Sequence, residues 1–406
     1  MKNNCAFTIC TRSYIGLAKT LKESFLKFHE NFDFIIFVVD YKDDINEDSI
    51  MDVKEFLKFS DTEYNCFAFK YNVTEFCTAL KPYCFYELFK IYDNLVFYID
   101  PDILFFSCME EILNSIKNVF LTPHRVFIND FSDVAYERDI LMSGIFNCGF
   151  VGFRNTDTSI KINKWWIERL KTYCFFDPHR GLFTDQKWID FLPSIINAEE
   201  LFIIRHPGYN YAPWNYSERK CKQENGCFFI TERKNEGKEY ALRFVHFSGY
   251  KYRELLNDDY THKTDKNLNY EDTQVLLNYY SDKLKSQKID KWINYSYFYN
   301  FFENGYKINL LQRKLFSLID TSKYENPFSC NKNSFYALLK KKHLLGKKNS
   351  DGEINKYKAS GLTGKILFFQ RLFKFCLKFL GTEKYMYMLK MFDYFGDKEN
   401  QLFLIQ

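Results

Sequence analysis

Glycine and proline are scarce in this chain of 406 residues, which contains 16 Gly and 8 Pro. This composition excludes a collagen-like protein and a Pro/Gly-rich linker protein. Because 46% of the residues are hydrophobic, the chain also lacks the low hydrophobicity of a disordered protein. A large excess of one charge is missing too, since 56 Lys and Arg oppose 52 Asp and Glu. Aromatic residues are abundant, at 20%, and can fill large cores.

Long apolar runs and closely paired cysteines are also missing. Uncharged apolar runs such as residues 34–39 are far shorter than the ~18 residues that a membrane-spanning helix needs. The first residues lead directly into a strand-like segment, which predicts no signal peptide. The twelve Cys form no C-x-x-C pair, and Cys221 and Cys227, which lie in one charged loop, match no zinc-site spacing. These features predict a cytoplasmic protein with reduced thiols.

Positive charge is concentrated at the end of the sequence. Residues 331–406 contain 15 Lys and Arg but 6 Asp and Glu, a net charge of +9, and residues 1–330 carry −5. Such a tail can bind nucleic acid or a membrane surface, or remain in water. Residues 361–380 combine Phe and Leu with Lys and Arg, a pattern typical of a helix lying on an anionic membrane. Packing of the same apolar face on the rest of the chain or on a partner is the alternative.

Apolar and amphipathic segments alternate in the first hundred residues. Strands are predicted at residues 6–10, 34–39, 66–71 and 95–99, and helices at 15–29, 48–59 and 82–92. Continuous apolar runs are typical of buried parallel strands, so we predict an α/β fold with helices on the faces of a parallel sheet. Further on, helices are predicted at 160–174 and 184–192, and a strand at 242–245.

Two acidic residues, Asp100 and Asp102, directly follow the predicted strand at residues 95–99. Ligands of parallel sheets bind at the carboxyl ends of the strands. Two carboxylates at such an end can hold a hard divalent cation with open positions, and that cation can neutralise a departing diphosphate. A polar turn that ends the strand is the alternative interpretation.

The segment Asp100-Pro101-Asp102 resembles the Asp-x-Asp motif of nucleotide-sugar glycosyltransferases of the GT-A fold. Five further segments occur in the order expected for that family: Thr11-Arg12-Ser13-Tyr14, Thr78-Ala79-Leu80-Lys81-Pro82, Asn147-Cys148-Gly149-Phe150, Asp185-Gln186 and His246-Phe247-Ser248-Gly249-Tyr250-Lys251. The last is similar to the His-x-x-Gly-x-x-Lys motif of glycosyltransferase family 8 (the glycogenin-like enzymes). Its spacer before Lys251 is one residue shorter, so Arg253 or Lys81 is an alternative contact for the diphosphate.

The resemblance covers about residues 5–255 and implies a fold and a reaction. The fold would be a GT-A type, Rossmann-like nucleotide-diphospho-sugar transferase domain with a C-terminal helical extension. Residues 1–255 would form the catalytic domain, residues 256–345 a helical and aromatic extension, and residues 346–406 a basic amphipathic tail, with a linker predicted at 345–360 where the tail begins. The enzyme would move a sugar from a UDP-sugar to a glycan or lipid-linked acceptor in bacterial surface polysaccharide synthesis, with retention of configuration.

The resemblance also implies a role for each candidate residue. Asp100, Asp102 and His246 would bind Mn²⁺ or Mg²⁺, and Asp185 and Gln186 would be the catalytic pair beside the donor sugar. Residues implied to bind the donor are Thr11, Arg12, Tyr14, Lys81, Asp100, Asn147, Gly249 and Lys251. The structural alternatives are a core histidine, a helix cap at residues 184–185, turn residues and a solvated lysine.

Residues 206–215 form an aromatic and polar loop that is a candidate for binding the acceptor. Sugars are bound by aromatic faces flanked by amide groups, so Tyr209, Asn210 and Trp214 are the predicted acceptor contacts. A structural loop closed by aromatic packing is the alternative.

Two other classes of function compete with the transferase. A nucleotidyltransferase that makes nucleotide sugars should have a Gly-rich basic loop after the first strand, whereas residues 11–16 contain one Gly. A non-catalytic glycan-binding protein is the other possibility, and the acidic body argues against nucleic acid as a partner. We predict a cytoplasmic enzyme that is peripheral on the inner face of the cytoplasmic membrane through its basic tail.

Overall fold

A computed structural model describes residues 3–45, 47–128, 134–235, 237–262, 270–287, 289–346 and 363–406, with only the backbone described at 134–136 and 363–366. The chain divides into two compact units. The first is Met1–Phe59 with Val73–Tyr297, and the second is Ser60–Asn72 with Phe298–Gln406. The linker predicted at 345–360 lies almost entirely outside the described residues. The three-part division predicted from the sequence stays a prediction.

Fourteen strands are described, all in the first unit. They are β1 (Asn4–Cys10), β2 (Phe32–Val38), β3 (Ile50–Asp52), β4 (Leu95–Ile99), β5 (Ile103–Phe105), β6 (Val119–Pro123), β7 (Phe146–Arg154), β8 (Phe176–Asp177), β9 (Leu182–Phe183), β10 (Leu201–Ile203), β11 (Arg219–Glu224), β12 (Cys227–Glu232), β13 (Tyr240–Ala241) and β14 (Phe244–His246).

Sixteen α-helices are described, and regular structure beyond residue 255 is helical in the part of the chain that the structure describes. They are α1 (Ile15–Leu26), α2 (Val53–Phe56), α3 (Asp61–Lys70), α4 (Val73–Ala79), α5 (Lys81–Leu88), α6 (Glu110–Leu113), α7 (Val134–Ser143), α8 (Asp157–Tyr173), α9 (Gln186–Ile189), α10 (Leu192–Ile195), α11 (Tyr252–Leu255), α12 (Glu271–Ser286), α13 (Asp290–Ile293), α14 (Leu310–Ser317), α15 (Phe335–Lys341) and α16 (Thr363–Gly396).

The main sheet of the first unit has seven strands in the order β10-β6-β7-β4-β1-β2-β3. Strands β4, β1, β2 and β3 are mutually parallel, β10 is parallel to β6, and β7 runs antiparallel to both of its neighbours. All residues of β1 and β4 are buried, as their largely apolar sequences predict for central strands. The predicted α/β class is therefore confirmed.

One predicted strand is wrong. Residues 66–71 fall mainly in α3, in the second unit, and the strand beside β2 is β3 instead. The helix begins with a capping box, in which the Glu63 backbone N–H donates to the Ser60 hydroxyl and the Ser60 backbone N–H donates to the Glu63 carboxylate. A short apolar run does not distinguish a strand from one turn of helix, and the cap residues lie outside that run.

A small antiparallel ribbon, formed by β5 and β14, brings distant parts of the sequence together. Ile103 is paired with His246, and Phe105 is paired with Phe244. Strands β11, β12 and β13 form a separate antiparallel sheet. The ribbon bears on the predicted metal site because β5 begins immediately after Asp102.

The second unit has its own aromatic core. The ring of Phe69 contacts those of Phe302, Phe316, Phe328 and Phe335, with centroids 4.6–5.7 Å apart. The guanidinium of Arg313 donates hydrogen bonds to the carbonyl oxygens of residues 68, 69 and 71, which satisfies the C-terminal end of α3. Across both units, none of the helices in the described ranges combines the length and apolarity of a membrane span.

Candidate functional site

The predicted site residues lie at the edge of the main sheet where the parallel strands end. Asp100 follows β4 and Thr11 follows β1. Strand β7 is antiparallel to β4, with Ile99 opposite Phe150, so the beginning of β7 reaches the same edge. The Asp100 backbone N–H donates to the Gly149 carbonyl at 2.7 Å, which fixes the turn that carries the acidic pair. This edge is where ligands of parallel sheets bind.

Asp100, Asp102 and His246 form a cluster in which one ligand atom of each residue lies within 4.8 Å of the others. The Nε2 atom of His246 is 3.1 Å from Oδ1 of Asp102 and 3.7 Å from Oδ2 of Asp100. The pairing of β5 with β14 brings the histidine to the acidic pair, and the Phe247 backbone N–H donates to the Asp102 carbonyl at 2.9 Å. Two carboxylates and an imidazole are ligands that suit a divalent cation.

The histidine ring is held by a neighbouring amide. Nδ1 of His246 lies 3.2 Å from Oδ1 of Asn147, and a proton on Nδ1 leaves the lone pair of Nε2 directed to the carboxylates. Burial opposes the charged form of His246, but Asp102 and Asp100 outweigh it and raise its pKa. Burial also raises the pKa of Asp100, against the opposing effects of Lys81 and His246. The cluster thus favours a positive charge between its carboxylates, which a divalent cation would provide.

The lack of a side chain at Gly149 leaves room for the cluster. A Cβ atom at this position would lie 2.5 Å from Cε1 of His246, 2.7 Å from Oδ2 of Asp100 and 2.8 Å from Oδ1 of Asn147. Since real Cβ atoms do not approach so closely, only glycine permits this arrangement. The Asn-x-Gly segment predicted from the sequence therefore frames the candidate metal site.

Lys81 lies beside the cluster at the start of α5, with its side chain 2% exposed. Its Nζ is 2.8 Å from Oδ2 of Asp185 and 4.0 Å from Oδ1 of Asp100, and it donates to the Cys148 carbonyl at 3.0 Å. The ammonium also lies over the Tyr98 ring, 4.1 Å from its centroid. Burial opposes the charged form of Lys81, but the two carboxylates raise its pKa and keep it protonated.

Asp185 and Gln186 contact the cluster from the start of α9. The Thr184 hydroxyl donates to Oδ1 of Asp185 at 3.0 Å, and the ion pair with Lys81 holds the other oxygen. Oε1 of Gln186 accepts from the Cys148 backbone N–H at 3.2 Å and from the Asn147 amide at 3.3 Å. The structure therefore connects the predicted catalytic pair to the predicted metal ligands through Lys81 and Asn147.

The loop after β1 lies at the same edge and is held by the end of β2. The Arg12 backbone N–H donates to Oδ1 of Asp40 at 2.7 Å, and its guanidinium pairs with Asp44 at 2.5 Å and lies 3.9 Å from the Tyr295 ring centroid. Burial raises the pKa of Asp40 to about 6. Asp40 is not among the site residues predicted from the sequence, although its position directly after the predicted strand at residues 34–39 could have indicated a site residue.

Thr11 and Tyr14, the other two donor-binding candidates of this loop, are also held by local contacts. The Thr11 hydroxyl lies 2.8 Å from the Ser13 hydroxyl. The Tyr14 ring meets the Tyr252 ring edge-on, with centroids 4.8 Å apart.

The candidate residues that follow β14 contact residues outside the cluster of Asp100, Asp102 and His246. Gly249 has φ +84°, and a Cβ there would lie 2.2 Å from Nε2 of His262. The Lys251 ammonium pairs with Glu254, and Arg253 donates to the Ile293 carbonyl at 2.7 Å. Lys81 is thus the amine that the structure places beside Asp100.

The predicted acceptor residues separate into two groups. Tyr209 is 1% exposed, packs in the core against Phe244 and donates its hydroxyl to Glu111 at 2.9 Å. Asn210 is fully buried and has φ +55°. Trp214 is half-buried, and its ring lies edge-on to His246 with centroids 5.2 Å apart. Of the three, Trp214 is the residue in contact with the candidate metal centre.

Sequence reasoning missed His124, whose ring also contacts the Trp214 ring. The two ring centroids are 5.1 Å apart, and burial lowers the pKa of His124 to about 4, so its ring is neutral. No motif surrounds His124 in the sequence; it directly follows β6, and its backbone N–H donates to the Ile145 carbonyl at 3.0 Å.

Comparison with known proteins gives limited similarity. No family model matches the sequence. The uncharacterized protein YfnF of Bacillus subtilis strain 168 is 25% identical to this chain over 197 residues. The matched region spans 48% of this chain and 62% of YfnF, which is less than two thirds of that protein.

Solved structures with a similar arrangement include three glycosyltransferases. The galactosyltransferase LgtC, in complex with donor and acceptor sugar analogues, is 16% identical with a TM-score of 0.37, covering 70% of this chain and 95% of LgtC. Mouse xyloside xylosyltransferase 1 is 9% identical with a TM-score of 0.35, and the match covers 61% of this chain and 98% of the mouse protein. A glycosyltransferase involved in glycosylation of the major capsid of PBCV-1 is 9% identical with a TM-score of 0.32, and the match covers 61% of this chain and 94% of that glycosyltransferase. These scores are below 0.5, and the support for function lies in the residues of this chain.

Proposed function

We propose that this chain is a metal-dependent glycosyltransferase of the GT-A type that uses a nucleotide diphosphate sugar. The observation that carries the proposal is the cluster of Asp100, Asp102 and His246 at the carboxyl edge of the parallel strands, with buried Lys81 and Asp185 beside it. Carboxylates and an imidazole suit Mn²⁺ or Mg²⁺. When bound, the cation would neutralise the diphosphate of the donor.

The protein groups around the cluster have separate roles in this proposal. Lys81 supplies a second fixed positive charge next to the diphosphate, and the ion pair orients Asp185 to accept hydroxyl groups of the donor sugar. Gln186 holds Asn147, which in turn orients His246. These contacts are already made within the protein, so these side chains are positioned before the donor binds.

The proposed donor is a UDP-sugar, and the proposed acceptor is a glycan or lipid-linked glycan of bacterial surface polysaccharide synthesis. Trp214, in contact with His246, is the proposed aromatic platform for the acceptor. Asp185 is paired with Lys81, and Asp100 and Asp102 face the cation position. Because these three carboxylates are engaged in this way, none of them is assigned as the base that deprotonates the acceptor. We therefore propose retention of configuration, with the departing phosphate helping to deprotonate the acceptor.

Release of nucleotide from a panel of UDP-, GDP-, dTDP- and CMP-sugars tests this proposal. We expect one donor to turn over slowly without acceptor when Mn²⁺ is present, and not with EDTA. Asp102→Asn should abolish the turnover, whereas Asp139→Asn, at an exposed carboxylate, should not. Formation of a nucleotide sugar from a sugar phosphate and a nucleoside triphosphate would favour the nucleotidyltransferase alternative. Metal-independent glycan binding without any turnover would favour the non-catalytic one.

The C-terminal helix supports a proposal about localisation. Gly381 has φ 75° and ψ 166°, which breaks α16, and the Phe373 ring lies 5.9 Å from that of Phe392 and 6.4 Å from that of Tyr385. The two halves of α16 therefore fold back on each other. Large apolar side chains on the first half are 40% or more exposed: Leu367, Phe368, Phe369, Leu372, Phe375, Leu377 and Phe379.

We infer that this helical segment lies on an anionic membrane surface. Basic residues are interspersed with the exposed apolar ones at Arg371, Lys374 and Lys378, and together they match an interface with negative headgroups. The proposed location is the inner face of the cytoplasmic membrane.

Sedimentation with lipid vesicles tests the membrane contact. The protein should sediment with phosphatidylglycerol vesicles and much less with phosphatidylcholine vesicles. Phe375→Ser with Phe379→Ser should release it, whereas Ile116→Ser, at a 90% exposed position in the first unit, should not. Equal sedimentation of both variants would contradict the proposal.

A further inference from the structure

A cavity of about 440 Å³ lies in the first unit, away from the candidate metal centre. It is bounded by the second half of α1, by residues 104–107, by the β11–β12 hairpin and by α12. None of the predicted site residues lines it. A cavity of this size matches the lower part of the range for small-ligand sites.

The β5–β14 ribbon connects the cavity to the metal centre. Asp102 precedes one end of β5, and Phe106, which lines the cavity, follows the other end. Three residues of extended chain lie between the two positions, so four steps of ~3.3 Å separate them by about 13 Å. A short oligosaccharide spans such a distance.

Three aromatic rings form one wall of the cavity. The Phe106 and Phe228 centroids are 5.1 Å apart, and the Phe106 and Tyr279 centroids are 5.4 Å apart. The Tyr279 side chain is 38% exposed, and those of Phe106 and Phe228 are partly buried. Aromatic rings that remain accessible in a concave site can stack on the C–H faces of sugar rings.

Polar and charged groups line the rest of the cavity. The Lys283 ammonium is 3.5 Å from a carboxylate oxygen of Glu23, and the exposed residues Lys27 and Gln223 add an ammonium and an amide group. Charged and amide groups around aromatic rings can bond sugar hydroxyls from several directions. A ligand with many hydroxyl groups can use these groups, whereas a purely apolar ligand cannot.

We propose that this cavity is a second carbohydrate-binding site, which holds part of an oligosaccharide away from the reacting end. The inference rests on the proposed glycosyltransferase function. It implies that the acceptor is a chain of several sugars and that the protein has affinity for a glycan segment independent of the metal and the nucleotide.

Saturation-transfer NMR on the full chain tests the proposal with maltotetraose, cellotetraose, chitotetraose and tetragalacturonic acid. We expect saturation transfer to at least one tetrasaccharide, lost in Phe228→Ala with Tyr279→Ala and retained in Tyr173→Ala, an exposed tyrosine on α8. Gln223→Trp, at an exposed cavity position, should also block binding and serves if the double variant does not fold. No transfer to any of the four, or transfer retained in the cavity variants, would overturn the proposal.

Cys227 provides a local readout because its exposed thiol lines the cavity. Alkylation by iodoacetamide, followed on the tryptic peptide 223–233, should slow several-fold when the tetrasaccharide is bound. Alkylation of Cys330, in the second unit, should not change. Equal rates at Cys227 with and without a bound sugar would place that sugar elsewhere and overturn the assignment.

The failure of this inference is distinguishable from failure of the proposed function. Cavity variants should bind UDP in the presence of Mn²⁺ as the wild type does. If the wild type binds UDP with Mn²⁺ but no tetrasaccharide, the cavity proposal alone fails. If the wild type binds no nucleotide, the proposed function fails as well.

Discussion

Lys81 and Asp185 form an ion pair of 2.8 Å in which the two side chains are 2% and 3% exposed. One residue begins α5 and the other directly precedes α9, so the pair joins segments more than a hundred positions apart. Desolvation of two charges is costly, and a buried pair is tolerated when further hydrogen bonds satisfy it. The Cys148 carbonyl and the Thr184 hydroxyl make those bonds. The pair thus keeps two charged side chains in fixed positions beside the candidate metal site.

Removing one partner of this pair should destabilise the protein strongly. Lys81→Met leaves the buried Asp185 carboxylate without its cation, and we expect a loss of about 3 kcal/mol or more in the free energy of unfolding. Lys81→Met combined with Asp185→Asn should recover part of that loss. Urea unfolding measures both, with Lys222→Met, in a more exposed pair with Glu239, as the control that costs less than about 1 kcal/mol. Equal losses for Lys81→Met and the control would contradict this account.

Two glycines of β7 should respond differently to alanine. Gly149→Ala places a methyl group against His246 and Asp100, and we expect Mn²⁺ affinity to fall about 10- to 100-fold. Gly152→Ala places it 2.0 Å from the Phe97 ring, so the expected effect is a loss of about 1–3 kcal/mol in stability. Calorimetric Mn²⁺ titration and urea unfolding separate the two effects. Unchanged Mn²⁺ affinity in Gly149→Ala would show that this glycine does not shape the site.

His29 should make the fold sensitive to acid. Burial lowers the pKa of His29 to about 4, while its Nε2 accepts from the Met109 backbone N–H at 3.0 Å. The folded state therefore resists protonation, whereas the unfolded chain takes up the proton near pH 6.5. The stabilisation is present above pH 6.5 and is lost as the pH falls towards 4, by roughly 3 kcal/mol.

His29→Gln should reduce this pH dependence. Its urea midpoint should fall less between pH 7 and pH 4.5 than the wild-type midpoint. His179→Gln, at an exposed histidine of the same unit, should follow the wild type. A pH dependence in His29→Gln as steep as in the wild type would refute the assignment.

Local sequence signals predicted the central strands and the acidic turn. Strand β4 is a continuous apolar run and β1 is largely apolar, and Asp100 follows β4 directly, so the carboxyl-edge position required no long-range information. Helix α8 was predicted at 160–174 and occupies Asp157–Tyr173, since its apolar spacing is regular. Segment 66–71 was predicted wrongly because its cap, rather than its apolar content, determines its structure.

Long-range pairing could not be derived from local patterns. His246 reaches the carboxylates because β14 pairs with β5, a contact across about 140 positions that only the family resemblance indicated. The same resemblance indicated Lys81, but its ion pair with Asp185 depends on how α5 and α9 pack. Tyr209 and Trp214 have similar sequence surroundings, yet one is a core residue and the other contacts His246.

Calorimetric titration of UDP in the presence and absence of Mn²⁺ tests the central claim most directly. The wild type and Asp139→Asn should bind UDP with Mn²⁺ at least tenfold more tightly than with EDTA, because the cation neutralises the diphosphate. Asp102→Asn should lose that difference while remaining folded. UDP affinity that is independent of Mn²⁺, or an unchanged Mn²⁺ effect in Asp102→Asn, would contradict a metal site formed by Asp100, Asp102 and His246.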